Sequence, residues 1–395
     1  MRREFLPYYR PLLESHEMEA VLESMRGGWL TTGPRVHEFE TSFAAGSGVA
    51  HAVAVNSGTA ALHLSLAAWG IGPGDEVVMP AFTFVAGAQC ARHVGARPVF
   101  ADIDPKTLCI TAETVKRVMT ARVKAIMPMQ YGGQPLAIAD LMEFAGQAGL
   151  RVIEDAAHAA GTLDQNGRWA GVMSHAAAYS FYATKNMTCG EGGMFVTNDG
   201  DLAERVRVLA LHGMDRDAWR RYTQGGKWRY DVVSTGYKYN LSDTAASLGI
   251  HQLKRLASMQ RRREELARLY ISELKDVAGI APLTLPPPLP AKHSFCIFAV
   301  GIDEQAAGVS RDEVIERLNQ ANIGTSVHFI PTHLFSSFSH AAQAPLPVTD
   351  RVWKTIVSLP LYPAMSDEDV MDVTGALRDI VVRAHPADAV SSVPK

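Results

Sequence analysis

Cysteine is scarce in this sequence. Cys90, Cys109, Cys189 and Cys296 stand far apart and form no CxxC pair, which excludes a disulfide framework and a cysteine-rich zinc module and suits reduced thiols in the cytosol. Long apolar runs are missing as well. No stretch approaches the roughly 20 apolar residues that span a bilayer, and the opening MRREFLPYYR has no apolar signal-peptide core, so a cytoplasmic protein with no membrane partner is expected. Charge of one sign is not in excess. The 38 Lys and Arg residues against 41 Asp and Glu leave a formal net charge of −3, which gives no general field for nucleic acid. Neither a P-loop nor GxGxxG occurs, which removes two common nucleotide-binding routes.

What the sequence does have is length, apolar content and rhythm. At 395 residues and 47% hydrophobic it is long enough for two domains, the larger burying a wide sheet. Strand-like runs recur: HAVAV (51–55), EVVM (76–79), RPVFA (97–101), the start of VKAIMPMQYGG (123–133), RVIED (151–155), AAAYSF (176–181) and GMFVTN (193–198). Helical spacing fills the gaps at Thr59 to Trp69, from about Thr83, and near Ala137 to Ala148. Repeated βα units predict a mostly parallel, helix-covered sheet with right-handed crossovers. A long loop dense in Arg, Lys, Trp and Tyr (211–243) follows, its positive charge suited to a phosphorylated substrate or simply solvated. Residues 243–275 then read as a long helix, SFCIFAVGI as a strand, Ser310 as the N-cap of a helix, TSVHFIPTH as a strand carrying His328, and roughly Asp367 to Val382 as the last helix. The expected organisation is a large cofactor-binding domain with an N-terminal arm over 1–250, a smaller C-terminal α+β domain over 251–384, and a disordered tail over 385–395.

The stretch from Arg151 to Gly193 carries the chemistry. RVIED delivers Asp155 to the lip of the sheet, while Glu154, on the other face of the strand, reads as structural. AAAYSF leads into ATKN, so Lys185 lies in the loop leaving a neighbouring strand, where α/β proteins place their sites. The acid and the amine are 185 − 155 = 30 positions apart. On the exits of adjacent strands they suit pyridoxal phosphate, whose aldehyde needs an amine and whose ring nitrogen needs an anion. Other stretches fit, each with a plainer alternative. Asn56, Ser57 and Gly58 turn a strand into a helix, so the amides of Thr59 and Ala60 and the Thr59 hydroxyl can cradle a phosphate, or the turn is an ordinary N-cap. Phe84 covers a flat ring or joins the core. His158, one turn beyond Asp155 if a helix begins there, supports the acid or the ring, or is a satisfied interior histidine. Ser180 can bind phosphate through its hydroxyl, and the Trp29, Thr31, Thr32 turn belongs to an arm or packs on the main domain.

In order, NSGTAALHL, VIEDAAHA, SFYATKN with CGEGG, GYKYNLSD and IGTSVHF resemble the DegT/StrS-type sugar aminotransferases, a branch of the fold type I pyridoxal-phosphate enzymes, over essentially the whole chain except the tail. GWLTTGP, TKNMTCGEGG and HGMDRDA add a similarity to the members that aminate a UDP-linked 4-ketopentose in UDP-L-Ara4N synthesis. The resemblance implies an α/β fold type I aminotransferase and a homodimer with shared active sites. It also implies transfer of an amino group from L-glutamate, leaving 2-oxoglutarate, to a nucleotide-linked ketosugar in lipopolysaccharide or glycoconjugate biosynthesis. By position it makes Lys185 the Schiff-base lysine and Asp155 the partner of the pyridine nitrogen. Thr59, Ala60 and Ser180 match phosphate-binding positions, His158 the residue supporting the ring, and Phe84 the aromatic over the cofactor, where the arabinose branch carries Trp. Lys238 or Asn240 is the phosphate ligand offered by the neighbouring subunit. His328, Thr31 and Thr32 match substrate-side positions. Alternatives are another nucleotide-linked keto-6-deoxyhexose or ketocyclitol as acceptor, a non-catalytic cofactor-binding protein, or the family's dehydratase branch, which resembles it but has histidine where Lys185 stands.

Overall fold

Seven short runs rich in Val, Ile, Phe and Ala pair into one sheet: β1 (His51–Val55), β2 (Glu76–Pro80), β3 (Arg97–Ala101), β4 (Val123–Ile126), β5 (Arg151–Asp155), β6 (Ala176–Ser180) and β7 (Gly193–Thr197). This is a computed structural model, and it describes residues 2–215, 229–339 and 344–384. The expected disordered tail and the centre of the basic loop (216–228) therefore lie outside the described residues. The spatial order is β1-β7-β6-β5-β4-β2-β3. Strands β2 to β6 are parallel to one another, and only β7 runs antiparallel, to both β6 and β1. β2 and β7 are buried at every position, as a sheet covered on both faces requires.

Helices α1 (Ser15–Arg26), α2 (Pro34–Ser47), α3 (Gly58–Ala68), α4 (Ala86–His93), α5 (Ala112–Lys116), α6 (Ile138–Ala148) and α7 (Gly200–Ala210) accompany the sheet. α3 has no polar face and is buried along nearly all its length, wedged between β6, β7, α4 and α7. A helix apolar all round needs cover on every side, and that cover holds its N-terminus at the carboxyl lip of the sheet.

Ser242 caps α8 (Asp243–Leu274), which runs unbroken through residue 250. One end packs on α1 and α2 and the other on the last helix. Beyond it β8 (Ile280–Pro282), β9 (Phe298–Ile302) and β10 (Ile356–Leu359) form an antiparallel sheet in the order β10-β9-β8. α9 (Arg311–Gln320, capped by Ser310), α10 (Pro347–Thr355) and α11 (Asp367–Ala384) pack with it. The first residues of the chain join this second core: Leu6 is buried in it, its N–H donating to Asn322 O at 2.8 Å and its carbonyl accepting from Gly324 N at 2.8 Å.

Two local expectations fail, and the condition attached to His158 is not met. TSVHFIPTH is not a strand; Ser326 makes a single bridge to Ser358 of β10, and the chain then turns away. The β-branched Thr325 and Val327 suggest a strand, but Ile330–Pro331 removes a donor and ends any ladder. No helix begins after Asp155. Its own side chain accepts from Ala157 N at 3.1 Å, the local turn that competes with helix at aspartate. The helix expected from about Thr83 starts at Ala86.

Candidate active site

A cavity of ≈ 480 Å³ opens at the carboxyl ends of β5 and β6, and Asp155, Lys185, His158, Ser180, Thr59, Phe84 and His328 all line it. The strand register explains the meeting. β5 and β6 are parallel, with Asp155 opposite Ala178, so both chains leave the sheet at the same lip.

Asp155 is buried, and its Oδ1 accepts from Ala157 N. Among the described residues nothing donates to Oδ2. Burial raises its pKa above the usual carboxylate range, opposed by the Ala157 N–H and by Lys185. Glu154, one residue earlier, is spent on structure: it accepts from Gly171 N at 2.8 Å, Ser174 Oγ at 2.6 Å and Gln130 Nε2 at 2.6 Å. That is what strand alternation predicts.

The Lys185 loop is held by its backbone, which leaves the amine uncommitted. Lys185 O accepts from the Tyr9 hydroxyl at 2.8 Å and from Arg263 Nη2 at 3.5 Å, and Arg263 Nη1 donates to Asn186 O at 3.2 Å. Asn186 Nδ2 in turn donates to Ser294 O at 2.8 Å. Burial lowers the pKa of Lys185, against the pull of Cys296 and Asp155. A lowered pKa raises the neutral fraction, the nucleophilic form of an amine.

At the start of α3, Ser57 Oγ accepts from Ala60 N at 3.1 Å and Ser57 O from Ala61 N at 3.2 Å. The Ala60 amide, expected in the phosphate cradle, donates to the cap in this structure. The amides left at the positive end of the helix are those of Gly58 and Thr59. Gly58 was missed although it stands between the cap and Thr59. A Cβ there would lie 2.9 Å from Ser180 Cβ, and one at Gly193 would lie 2.4 Å from the Ser57 carbonyl carbon, so glycine lets the helix start press against β6 and β7.

Two aromatic faces bound the cavity. Phe84 is 56% exposed, so the core alternative fails and the ring stands open to the cavity. Its centroid is 6.1 Å from Phe329, which stacks on His158 at 5.7 Å and 13°. His158 Nδ1 accepts from Gly132 N at 3.2 Å, and burial, then Lys185 and His328, push its pKa well below the ordinary value. It is a neutral ring in a fixed tautomer. His328 Nδ1 lies 2.9 Å from Ser358 Oγ and 3.5 Å from the Tyr8 hydroxyl.

Thr31, Thr32, Lys238 and Asn240 do not line this cavity. They form a separate cluster: Thr32 Oγ1 donates to Leu241 O at 2.6 Å and accepts from Asn240 Nδ2 at 2.7 Å, Lys238 Nζ contacts Asn240 Oδ1, and Thr31 O accepts from Asp243 N at 3.2 Å. It abuts the turn before α3, where Asn56 N donates to Tyr239 O at 2.7 Å. Tyr8, Cys296 and Phe329 line the cavity as well; Tyr8 and Cys296 have no local motif around them, while Phe329 closes IGTSVHF, from which the sequence points only to His328 as a site residue.

The donor set fits pyridoxal phosphate. Asp155 Oδ2 would face a ring N–H, Lys185 an aldehyde, and the Gly58 and Thr59 amides with the Thr59 and Ser180 hydroxyls a phosphate dianion. Phe84 and His158 would flank the ring. No group of His, Cys, Asp and Glu among the described residues could hold a metal ion, and no helix there is long and apolar enough to cross a membrane.

A model of the DegT/DnrJ/EryC1/StrS aminotransferase family matches residues 11–378. The chain is 47% identical over 385 residues to the spore coat polysaccharide biosynthesis protein SpsC of Bacillus subtilis (strain 168), covering 96% of this chain and 98% of that one. Among solved structures it is similar to the aminotransferase TlmJ from Streptoalloteichus hindustanus, with a TM-score of 0.88 and 36% identity over 96% of this chain and 100% of that one. It is also similar to DesI, solved in the presence of its TDP-sugar product, with a TM-score of 0.87 and 32% identity over 99% and 96% of the two chains.

Proposed function

Because this chain belongs to the DegT/DnrJ/EryC1/StrS aminotransferase family and is a pyridoxal-phosphate-dependent aminotransferase, we propose that it moves the amino group of L-glutamate to a nucleotide-linked 4-ketosugar, leaving 2-oxoglutarate. The first candidate acceptor is a UDP-linked 4-ketopentose. One observation carries the reading: an uncommitted amine and an unpaired carboxylate oxygen leave adjacent parallel strands and line one cavity. The polysaccharide named for SpsC and the TDP-sugar named for DesI support a sugar nucleotide, and the arabinose-like stretches of the sequence favour UDP.

Pyridoxal phosphate supplies an electron sink for bonds broken at the carbon that carries the nitrogen. The protein does the rest. Asp155 holds a proton on the ring nitrogen, and that positive charge offsets the burial that otherwise raises the carboxyl's pKa. Lys185, as a neutral amine, takes the α-proton of the amino donor and returns a proton to the carbon that accepts the nitrogen. Gly58, Thr59 and Ser180 anchor the phosphate, while Phe84 and His158 fix the ring plane and keep water from its faces.

We propose further that the site is completed by a second copy of the chain. Lys185 is the sole Lys or Arg among the described residues that line the cavity, yet the substrates bring carboxylates and a diphosphate. The cluster of Lys238, Asn240, Thr31 and Thr32, outside the cavity of its own chain, suits that role, with Lys238 or Asn240 toward the partner's cofactor phosphate.

The test is a half-reaction screen. Enzyme charged with glutamate and freed of excess donor is offered UDP-linked 4-ketopentose, dTDP- and UDP-linked 4-keto-6-deoxyhexoses, 3-ketosugars and ketocyclitols, and the aminated product is identified by mass. One equivalent of 4-amino sugar per site is expected, UDP-ketopentose reacting fastest. Failure of every nucleotide-linked sugar would sink the proposal, and preference for a keto-6-deoxyhexose would replace the pentose.

A further inference from the structure

We infer that Tyr8 and Ser358 are positioning residues that fix His328 with a bare Nδ1 and with its Nε2–H offered to a neutral oxygen of the substrate, a carbonyl or hydroxyl. The identity of that substrate rests on the aminotransferase reading above; the tautomer does not.

Ser358 sits in β10 between Val357 and Leu359 and is fully buried. Both its backbone groups are spent on Ser326, at 2.8 and 3.1 Å. A hydroxyl in such a place is costly unless bonded, and the partner it meets is His328 Nδ1, at 2.9 Å. The Tyr8 hydroxyl is itself 3.5 Å from the same nitrogen. Proton counting then decides the arrangement. With Nδ1 bare, Ser358 donates to it at 2.9 Å and the Tyr8 hydroxyl at 3.5 Å, so both hydrogens have an acceptor. With Nδ1 protonated, the ring N–H takes Ser358 Oγ and the buried serine proton has no acceptor among the described residues.

The ring is also held in place. Tyr8 packs against it at 5.4 Å and 31°, and the Tyr131 hydroxyl donates to His328 O at 2.8 Å. Burial and the neighbouring Lys185 push the pKa of His328 down to about 3, so the ring is neutral and carries one N–H. Nε2 has no partner among the described residues, and the ring lines the cavity. A neutral donor suits a keto or hydroxyl oxygen better than a carboxylate, which is bound more strongly by a cation.

Tyr8 arrives from the far end of the chain. Leu6 pairs with the segment 322–324, and a Cβ at Gly324 would lie 2.8 Å from Tyr8 N, so glycine at 324 admits the arm. Neither Tyr8 nor Ser358 needs to touch the reacting atoms for this role.

The experiment uses holoenzyme labelled with heavy nitrogen in histidine, whose NMR spectrum tells a protonated ring nitrogen from a bare one; His328→Gln identifies the signals. In the wild type His328 should carry its proton on Nε2. Ser358→Ala should mix the tautomers and lower kcat/KM for the ketosugar about tenfold, leaving KM for glutamate and cofactor affinity unchanged. Ser358→Thr, which keeps the hydroxyl, should restore both readouts. Should Ser358→Ala fail to fold, Tyr8→Phe, which removes only the longer contact to Nδ1, should shift the tautomers and kcat/KM in the same direction to a smaller extent. A proton on Nδ1 in the wild type, equal losses in both half-reactions, or a Thr variant as poor as Ala would overturn the inference. If the wild type aminates no ketosugar, the substrate reading falls while the ring spectrum still decides the tautomer.

Discussion

Gly58→Ala tests the phosphate cradle with one methyl group. The added carbon would lie 2.9 Å from Ser180 Cβ and 3.2 Å from both Ser180 Cα and Tyr179 O, atoms of β6 that no rotamer change can move away. Replacing a helix glycine gains up to about 1 kcal/mol, whereas overpacking costs about 1–3 kcal/mol. Strain prevails, and it is relieved by backing the first turn of α3 away from β6. That movement withdraws the Gly58 and Thr59 amides from a bound phosphate. A hydrogen bond to a charged group is worth about 1.5–3 kcal/mol, so losing one should weaken pyridoxal phosphate roughly 10- to 100-fold. The assay is an absorbance titration of cofactor-free protein with pyridoxal phosphate and, in parallel, with pyridoxal, which lacks the phosphate. Affinity for pyridoxal should stay within about threefold, since no strong bond to it is lost. Equal weakening of both ligands, or none, would refute the placement of the phosphate at this helix.

Lys185→Ala should abolish turnover and the visible absorbance of covalently held cofactor, and an unchanged band would exclude this lysine. Asp155→Ala should leave Lys185 able to bond the cofactor but cripple proton abstraction, so near-normal turnover would remove its role. His293 provides a test of acid stability. It is buried, its Nδ1 accepts from Phe295 N at 2.8 Å, its Nε2 has no partner among the described residues, and burial takes its pKa down to about 3. The folded value lies below the unfolded value of about 6.5, so the unfolded chain binds the proton first as pH falls. Stability is full above about pH 6.5 and declines by about 1.4 kcal/mol per pH unit below it. Between about pH 7 and pH 5 this residue should cost about 2 kcal/mol, and His293→Asn should lose that much less in denaturant titrations at the two pH values. An acid loss as steep as the wild type's would exclude His293 as the cause.

Much of the site is legible along the chain because its parts are local. β5 ends in its acid, β6 runs into the lysine loop, and the Ser57 cap begins α3, each within a few residues of a recognisable strand or helix signal. What sequence reading loses is contact across distance. Tyr8 meets His328 from 320 positions away, and Arg263 reaches the Lys185 carbonyl from 78; no periodicity encodes either meeting. Local bonds compete elsewhere. Asp155 bonds its own backbone, so the helix that would put His158 one turn beyond it does not form, and Ser57 bonds the Ala60 amide. Phe84 reads as core by composition and stands in the open because the cavity lies in front of it.

The backbone prop beneath Lys185 also bears on synthesis. One support, Tyr9, is translated before the loop it holds, the other, Arg263, well after it, and Leu6 beside the first docks against residues 322–324. A ribosome-bound fragment ending near the middle of α8 would carry the amine, the acid and Tyr9, yet lack Arg263 and the segment that docks Leu6. The lysine loop therefore gains its second support only from a residue 78 positions further along the chain.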